Sequence, residues 1–281
     1  MQRTLHRVIC FASAAMLLNA SQSFACSILS ASQFSDHYVG KSYDWDFEQG
    51  LLLVNKRNVS KRALLLDQSS VAATWTSRFG SVTFNQYGRE FPLGGMNEAG
   101  LVVEIAWLDE TIYPKADGRP AVNELQWVQY QLDQYASTKE LVAHLEDARI
   151  APAYANVHYM VCDATKDCAT VEYLHGKLVT HMSSDLDVPV LTNDNYALHR
   201  KALRKFKGFG GWRSLPTGSG SFARYARAAA FAGVPRDTRG LDAKGEVFKA
   251  LASLNQGDFS KWNIAYNTSC LLYTSPSPRD Q

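Results

Sequence analysis

Beyond residue 25 the chain has no apolar run approaching the roughly 20 residues a helix needs to span a bilayer. It also has no G-x-S-x-G elbow, no H-E-x-x-H pair and no G-x-x-x-x-G-K-[ST] loop, which argues against serine-elbow hydrolases, zincin peptidases and P-loop NTPases. No segment repeats at a period of roughly 20 to 50 residues, which argues against a solenoid, and no linker-like stretch marks a domain boundary. Net charge is nearly absent: 29 Lys+Arg stand against 27 Asp+Glu, and Arg3 and Arg7 of the N-terminal segment account for the difference. Without a long basic run, nucleic acid is not an expected partner. The most basic stretch, "HRKALRKFKG" at residues 199 to 208, reads as a solvated surface segment.

Cysteine is scarce, with five in 281 residues. Residues 1 to 25 explain one of them. Arg3 and Arg7, an apolar run from Val8 to Leu18, and the small residues Ser23 and Ala25 around Phe24 form the layout of a secretory signal with an A-x-A-like cleavage site. Cleavage after Ala25 removes Cys10 and leaves Cys26 as the first residue of a periplasmic or secreted protein. Cys162 and Cys168 stand in "VHYMVC" and "CATVEYL", two β-rich arms around Asp-Ala-Thr-Lys-Asp, and are expected to face each other across a hairpin, where an oxidising compartment allows them to pair. Cys26 is then the odd thiol.

What is present suits a packed core: 46% of residues are hydrophobic and 11% aromatic. "LLLVNKRNVSKRALLL", "VAATWTSRFGSVTFNQY" and "GLVVEIAWL" read as strands. Residues 120 to 150 read as two tandem helices, with Leu125, Val128 and Leu132 on one and Leu141, Val142 and Leu145 on the next, the second capped by Ser137 or Thr138. Further helices are expected near 222 to 233 and 243 to 256. The order of strands and helices predicts a layered α+β fold with a mainly antiparallel sheet. His158, His175 and His181 fall in the 157 to 181 hairpin at positions expected to be half exposed. Residues 271 to 281, "LLYTSPSPRDQ", have no apolar periodicity and read as an unstructured, non-native tail. The domain is thus expected to run from 26 to 270 with an incomplete C-terminus.

A cysteine freed at an N-terminus combines a nucleophilic thiol with an α-amine of pKa about 7.7 to 8.0 that can serve as its base. Three other readings of Cys26 remain: a half-cystine, the lipidated cysteine of a lipoprotein, or the nucleophile of a Cys-His peptidase.

"VGKSYDWD", "GGMNEAGLVVEIAWL", "HYMVCDATKDCATVEYLHGKLVTH", "PVLTNDNYALH" and "SFARYARAAAF", taken in order with Cys26, resemble the choloylglycine hydrolase and penicillin V acylase family, linear-amide C-N hydrolases of the N-terminal nucleophile superfamily. The resemblance runs from Cys26 to about residue 267. It implies an αββα four-layer sandwich, two antiparallel sheets between helical layers, with Cys26 starting a central strand. By the same resemblance Cys26 is the nucleophile, Asp44 holds its amine, Asn193 contributes a side-chain N–H to the oxyanion hole, and Arg224 lies in the ionic network of the thiol. No cofactor and no metal is implied, a small amide is the partner, and a homotetramer is the assembly to expect.

Two positions depart from the family pattern. Lys41 stands where G-R-x-x-D-W has arginine, which keeps the charge but loses the bidentate fork. Ten residues after Asn97, where bile-salt hydrolases carry asparagine, stands Trp107. Its backbone N–H can still serve an oxyanion hole, but its ring, with Trp45, is expected to wall the pocket against a steroid. Acylase activity on penicillin V or N-acyl homoserine lactones is therefore expected ahead of bile-salt hydrolysis. The alternative is a catalytically idle binding protein, secreted or lipid-anchored, on the same scaffold.

Overall fold

In a computed structural model, residues 26 to 233 and 237 to 274 are described. The expected signal, residues 1 to 25, lies outside them. The chain runs through β1 (Ser27–Ala31), β2 (Tyr38–Asp44), β3 (Leu51–Asn55), β4 (Ser60–Arg62), β5 (Thr74–Thr76), β6 (Ser81–Asn85), β7 (Pro92–Asn97), β8 (Val102–Trp107) and β9 (Ala121–Val122) to α1 (Gln126–Gln134) and α2 (Thr138–Ala143). Then come β10 (Arg149–Ile150), β11 (Val157–Cys162), β12 (Cys168–Leu174), β13 (Lys177–Met182), β14 (Val190–Leu191), α3 (Tyr196–Leu203), α4 (Ser221–Gly233), α5 (Ala243–Ser253), β15 (Ser260–Asn267) and β16 (Leu272–Thr274).

Two antiparallel sheets form the middle of the molecule. One has the order β14-β1-β2-β15-β16 and the other β13-β12-β11-β8-β7-β6-β3. Helices α4 and α5 pack on the first sheet, α1 and α2 on the second, and β1 meets β8 between them, giving an αββα sandwich. Strands buried on both faces do not need a polar side, and "SILSA" of β1 is buried throughout. Its register against β2 pairs Ser27 with Ser42 and Ile28 with Lys41. One alternate set, Ile28 and Lys41, therefore faces the second sheet, while Ser27, Ser42 and Gly40 face the helices. A Cβ on Gly40 would sit 3.0 Å from Val247 Cγ1 of α5, so glycine here allows the helix its close approach.

Several local expectations shift. Ser137 is the cap of α2 and accepts from the Glu140 N–H, but the ends of the 120 to 150 segment are the short parallel pair β9 and β10 rather than helix. Gly94 and Gly95 lie within strand β7, and the turn that leads into β8 has Gly100 at φ +84°. Part of the basic patch is helix α3, whose His199 and Leu203 are buried against the core. Of the tail read as unstructured, Leu272–Thr274 pairs with β15, because the far edge of β15 offers unpaired backbone groups to any β-compatible segment that follows. Residues 275 to 281 lie outside the described residues. Among the described residues no helix is long and apolar enough to cross a membrane.

Candidate active site

Cys26 precedes β1 opposite Tyr43, on the face turned toward the second sheet, and its thiol is buried and unbridged. It opens into a cavity of about 380 Å³ walled almost wholly by apolar groups, among them Tyr43, Trp45, Phe91, Leu93, Ile105 and Trp107. Volumes of a few hundred Å³ with sparse polar points are typical of small-molecule sites. Trp107 is the central ring: its centroid lies 6.3 Å from Trp45 and 6.5 Å from Tyr154. The mouth is completed by Tyr87 and Tyr154, both exposed.

Behind Cys26, on the helical side, stands Arg224. It belongs to the buried face of α4 with Tyr225 and Ala228, and the packing of α4 on β1 carries its guanidinium to the start of the strand. Nη1 donates to the Cys26 carbonyl at 2.8 Å and to Ser27 Oγ at 2.6 Å, and Nη2 donates to Asn193 Oδ1 at 2.7 Å. Held by that bond, Asn193 turns Nδ2 toward the Trp107 carbonyl at 3.0 Å. Trp107 lies opposite Val157 of β11. The neighbouring Leu108 N–H goes to Asn156 O at 2.9 Å, so antiparallel alternation turns the Trp107 N–H and C=O away from β11, both to the side where Asn193 stands. Cys26, Arg224, Asn193 and Trp107 thus form one connected chain.

Asp44 ends β2 on the helical side. Ser42 Oγ donates to Oδ1 at 3.1 Å, Gln256 Nε2 donates to Oδ2 at 2.7 Å, and Ser260 Oγ donates to Oδ1. Its carboxyl is pushed above the usual range by burial, against these hydrogen bonds and the Arg224 charge. Burial likewise raises the thiol above its ordinary value, with Lys41 the largest opposing influence, the Asp44 charge adding to the rise and Arg224 opposing it.

Lys41 points between the sheets, where its Nζ meets Glu104 Oε2 at 2.6 Å and donates to Leu93 O at 2.9 Å. Both side chains are almost fully buried. Tyr266 donates its hydroxyl to Glu104 Oε1. Room for this carboxylate comes from Gly94, where a Cβ would lie 2.1 Å from Glu104 Oε2. Burial raises the Glu104 carboxyl and Lys41 opposes the rise.

Cys162 and Cys168 are paired across β11 and β12 and disulfide-bonded; they do not line the cavity. His158, expected half exposed, is fully buried instead, because its strand is central in the second sheet and its ring is taken up by Glu172 and Thr192. His175 is in the exposed turn and His181 keeps only slight exposure. Sequence reasoning passed over Glu104, Gln256, Ser260 and Glu172, and read His158 only as a half-exposed strand residue. For Glu104 and Glu172 a signal existed: a single acid inside an apolar strand must find a partner when both faces are covered.

Residues 26 to 242 match the family of "Linear amide C-N hydrolases, choloylglycine hydrolase family". Penicillin V acylase of Pectobacterium atrosepticum is 28% identical over 200 residues, covering 64% of this chain and 53% of that protein, so the match spans about half of the relative's length. Among solved structures, penicillin V acylase from Agrobacterium tumefaciens superposes with TM-score 0.75 at 26% identity, over 90% of this chain and 83% of the other. A mutant conjugated bile acid hydrolase from Clostridium perfringens shares the fold, with TM-score 0.73 at 16% identity over 90% and 89% of the two chains. The two sheets with their helical layers are accordingly those of the N-terminal nucleophile hydrolases. The chain belongs to the choloylglycine hydrolase family of linear amide C-N hydrolases.

Proposed function

We propose that the chain, once residues 1 to 25 are removed, hydrolyses linear non-peptide amides through Cys26, taking aromatic or fatty acyl groups such as those of penicillin V or N-acyl homoserine lactones ahead of conjugated bile salts. The observation that carries this reading is the position of a buried thiol at the end of an aromatic cavity, linked through Arg224 to Asn193 and Trp107.

Release of the Cys26 α-amine supplies the base. The thiol gives its proton to that amine, directly or through one water, as Sγ bonds to the amide carbon. Asp44 orients the amine. An amide nitrogen carries two protons, so Asn193 can give one to Trp107 O and the other to the developing oxyanion, joined by the Trp107 backbone N–H. The ammonium then returns its proton to the leaving nitrogen as the C–N bond breaks. Water, deprotonated by the same amine, splits the thioester into acid and free thiol. Lys41 and Arg224 oppose the burial that disfavours thiolate.

The substrate preference rests on the cavity. Its walls offer apolar, largely aromatic contact and few hydrogen-bonding groups, and the Trp45 and Trp107 rings are part of them, which favours a flat or flexible acyl group over a broad fused-ring one. Discrimination by pocket shape is worth about 1 to 3 kcal/mol for a small group.

The test is a panel of penicillin V, an N-acyl homoserine lactone and a glycine-conjugated bile acid, with Cys26→Ala as control. Turnover of the first two ahead of the third, abolished in the variant, is the expected result. Retained hydrolysis by Cys26→Ala overturns the nucleophile, and a clear preference for the bile conjugate overturns the substrate order.

A further inference from the structure

The peptide unit joining Thr192 to Asn193 is gripped at both edges. Its carbonyl, that of Thr192, accepts from His158 Nε2 at 2.7 Å. Its N–H, that of Asn193, donates to Ser221 Oγ at 2.9 Å. His158 is itself held by Glu172, directly across the β11–β12 pairing, with Nδ1 3.0 Å from Oε1 and a proton shared between them. The same Oε1 accepts the Tyr196 N–H at 3.1 Å, at the start of α3. His158, Glu172 and Thr192 are all fully buried. A strand of the second sheet therefore reaches across the sandwich and pins the loop that carries Asn193 out of the first.

A fully buried imidazole bound to a carboxylate is costly to desolvate. What the pair does is fix a backbone plane. With the plane fixed, Asn193 has its Cα placed by His158 and Ser221 and its amide end placed by Arg224 and Trp107. We infer that His158, held by Glu172, is a positioning residue for catalysis, acting with Ser221 to aim the Asn193 side chain at the oxyanion. The inference rests on the amidase reading above and adds to it residues that touch neither the substrate nor the thiol.

The test separates the two ring nitrogens. In His158→Gln the side-chain amide can still donate near the Nε2 position to Thr192 O, whereas in His158→Asn it reaches Glu172 but not Thr192. Two readouts are taken: steady-state kinetics on penicillin V, and binding of phenoxyacetaldehyde against phenoxyethanol, followed by the fluorescence of the cavity tryptophans. The aldehyde forms a hemithioacetal with Cys26, adding the S–H across its C=O, and so samples the oxyanion contacts; the alcohol samples only the cavity. His158→Asn should lower kcat by about 10- to 100-fold with KM little changed, the scale of a misaimed catalytic group. It should also remove the aldehyde's advantage over the alcohol, and His158→Gln should keep most of both.

Equal losses in Gln and Asn variants, or equal weakening of aldehyde and alcohol, would mean a merely structural histidine and overturn the inference. Should His158→Asn fail to fold, Ser221→Ala opens the other edge of the same peptide and must show the same kcat and aldehyde loss; unchanged values there overturn it too. An aldehyde advantage that persists in Cys26→Ala would instead overturn the thiol reading itself, and the positioning role with it.

Discussion

Arg224 donates one guanidinium nitrogen to the carbonyl of Cys26 at 2.8 Å, so the residue that carries the thiol is held by a helix that packs on the opposite face of its sheet. The same group also fixes Ser27 and Asn193. With Nε donating to Ser219 O at 2.9 Å as well, one planar guanidinium spans four acceptors from three segments, which a lysine ammonium on a flexible stem cannot do. Arg224→Lys should therefore lower kcat by about 100-fold through misplacement of Asn193 and the nucleophile. Steady-state kinetics beside a thermal melt checks this; a variant with full kcat would show that the fork is only structural.

Lys41 and Glu104 form a buried pair, and breaking such a pair from one side costs about 3 to 5 kcal/mol because the other charge is left stranded. Glu104→Gln should lose stability on that scale in chemical denaturation, and the double variant Lys41→Met with Glu104→Leu should recover much of it. Lys41 is also the largest influence holding the Cys26 thiol down against burial. Removing Lys41 should therefore move the pH midpoint of Cys26 alkylation upward. A midpoint that stays or falls would show that Lys41 does not act on the sulfur.

The Trp107 ring and backbone have separate duties. Trp107→Ala keeps the N–H and carbonyl that neighbour Asn193 but removes the ring between Trp45 and Tyr154. KM for a phenoxyacetyl amide should rise by about 10-fold, the scale of losing one apolar contact group, with kcat nearly kept and bulkier acyl groups better accepted. A collapse of kcat with unchanged KM would assign the ring to the chemistry instead.

His37 is buried behind β1. Its ring meets Ser30 Oγ through Nε2 at 2.8 Å and Asp163 O through Nδ1 at 3.0 Å. Burial, with the nearby Lys166 charge, brings its pKa down to about 4, and the Asp163 contacts oppose this only in part. The unfolded chain takes up the proton first, near pH 6.5, so this stability is present above that pH and lost as pH falls through about 4. Over the full window the loss is on the order of 3 kcal/mol. The urea midpoint of the wild type should drop across this range more steeply than that of His37→Gln; identical slopes would count against it.

Much of the layering was legible because the signals were local. "GLVVEIAWL" read as a strand and contains β8, the cap of α2 was narrowed to Ser137 or Thr138 and is Ser137, and a helix was expected near 222 to 233, where α4 lies. The seven-residue loss of contrast in "YVGKSYD" was not readable: β2 is covered on both faces, so lysine, serine and aspartate enter the core and the alternation that marks a half-buried strand disappears. Asp44, Asn193 and Arg224 were singled out through the order of the motifs in the resemblance, and the structure brings Arg224 and Asn193 into one hydrogen-bonded group with Cys26. Glu104 and the pair of His158 with Glu172 were missed because their partners come from other strands and loops, and only the stacking of two sheets brings those together. The short β16 was read as tail because three residues carry no period of their own; pairing to β15 organises them.

The central claim, that Cys26 becomes a first residue and carries the acyl group, is tested most directly by mass spectrometry of enzyme quenched during turnover of penicillin V. The expected result is an N-terminal peptide that begins at Cys26 and bears a phenoxyacetyl group on sulfur, absent without substrate. An enzyme that turns over while still extended beyond Cys26, or that carries the acyl group on any other residue, would contradict the account.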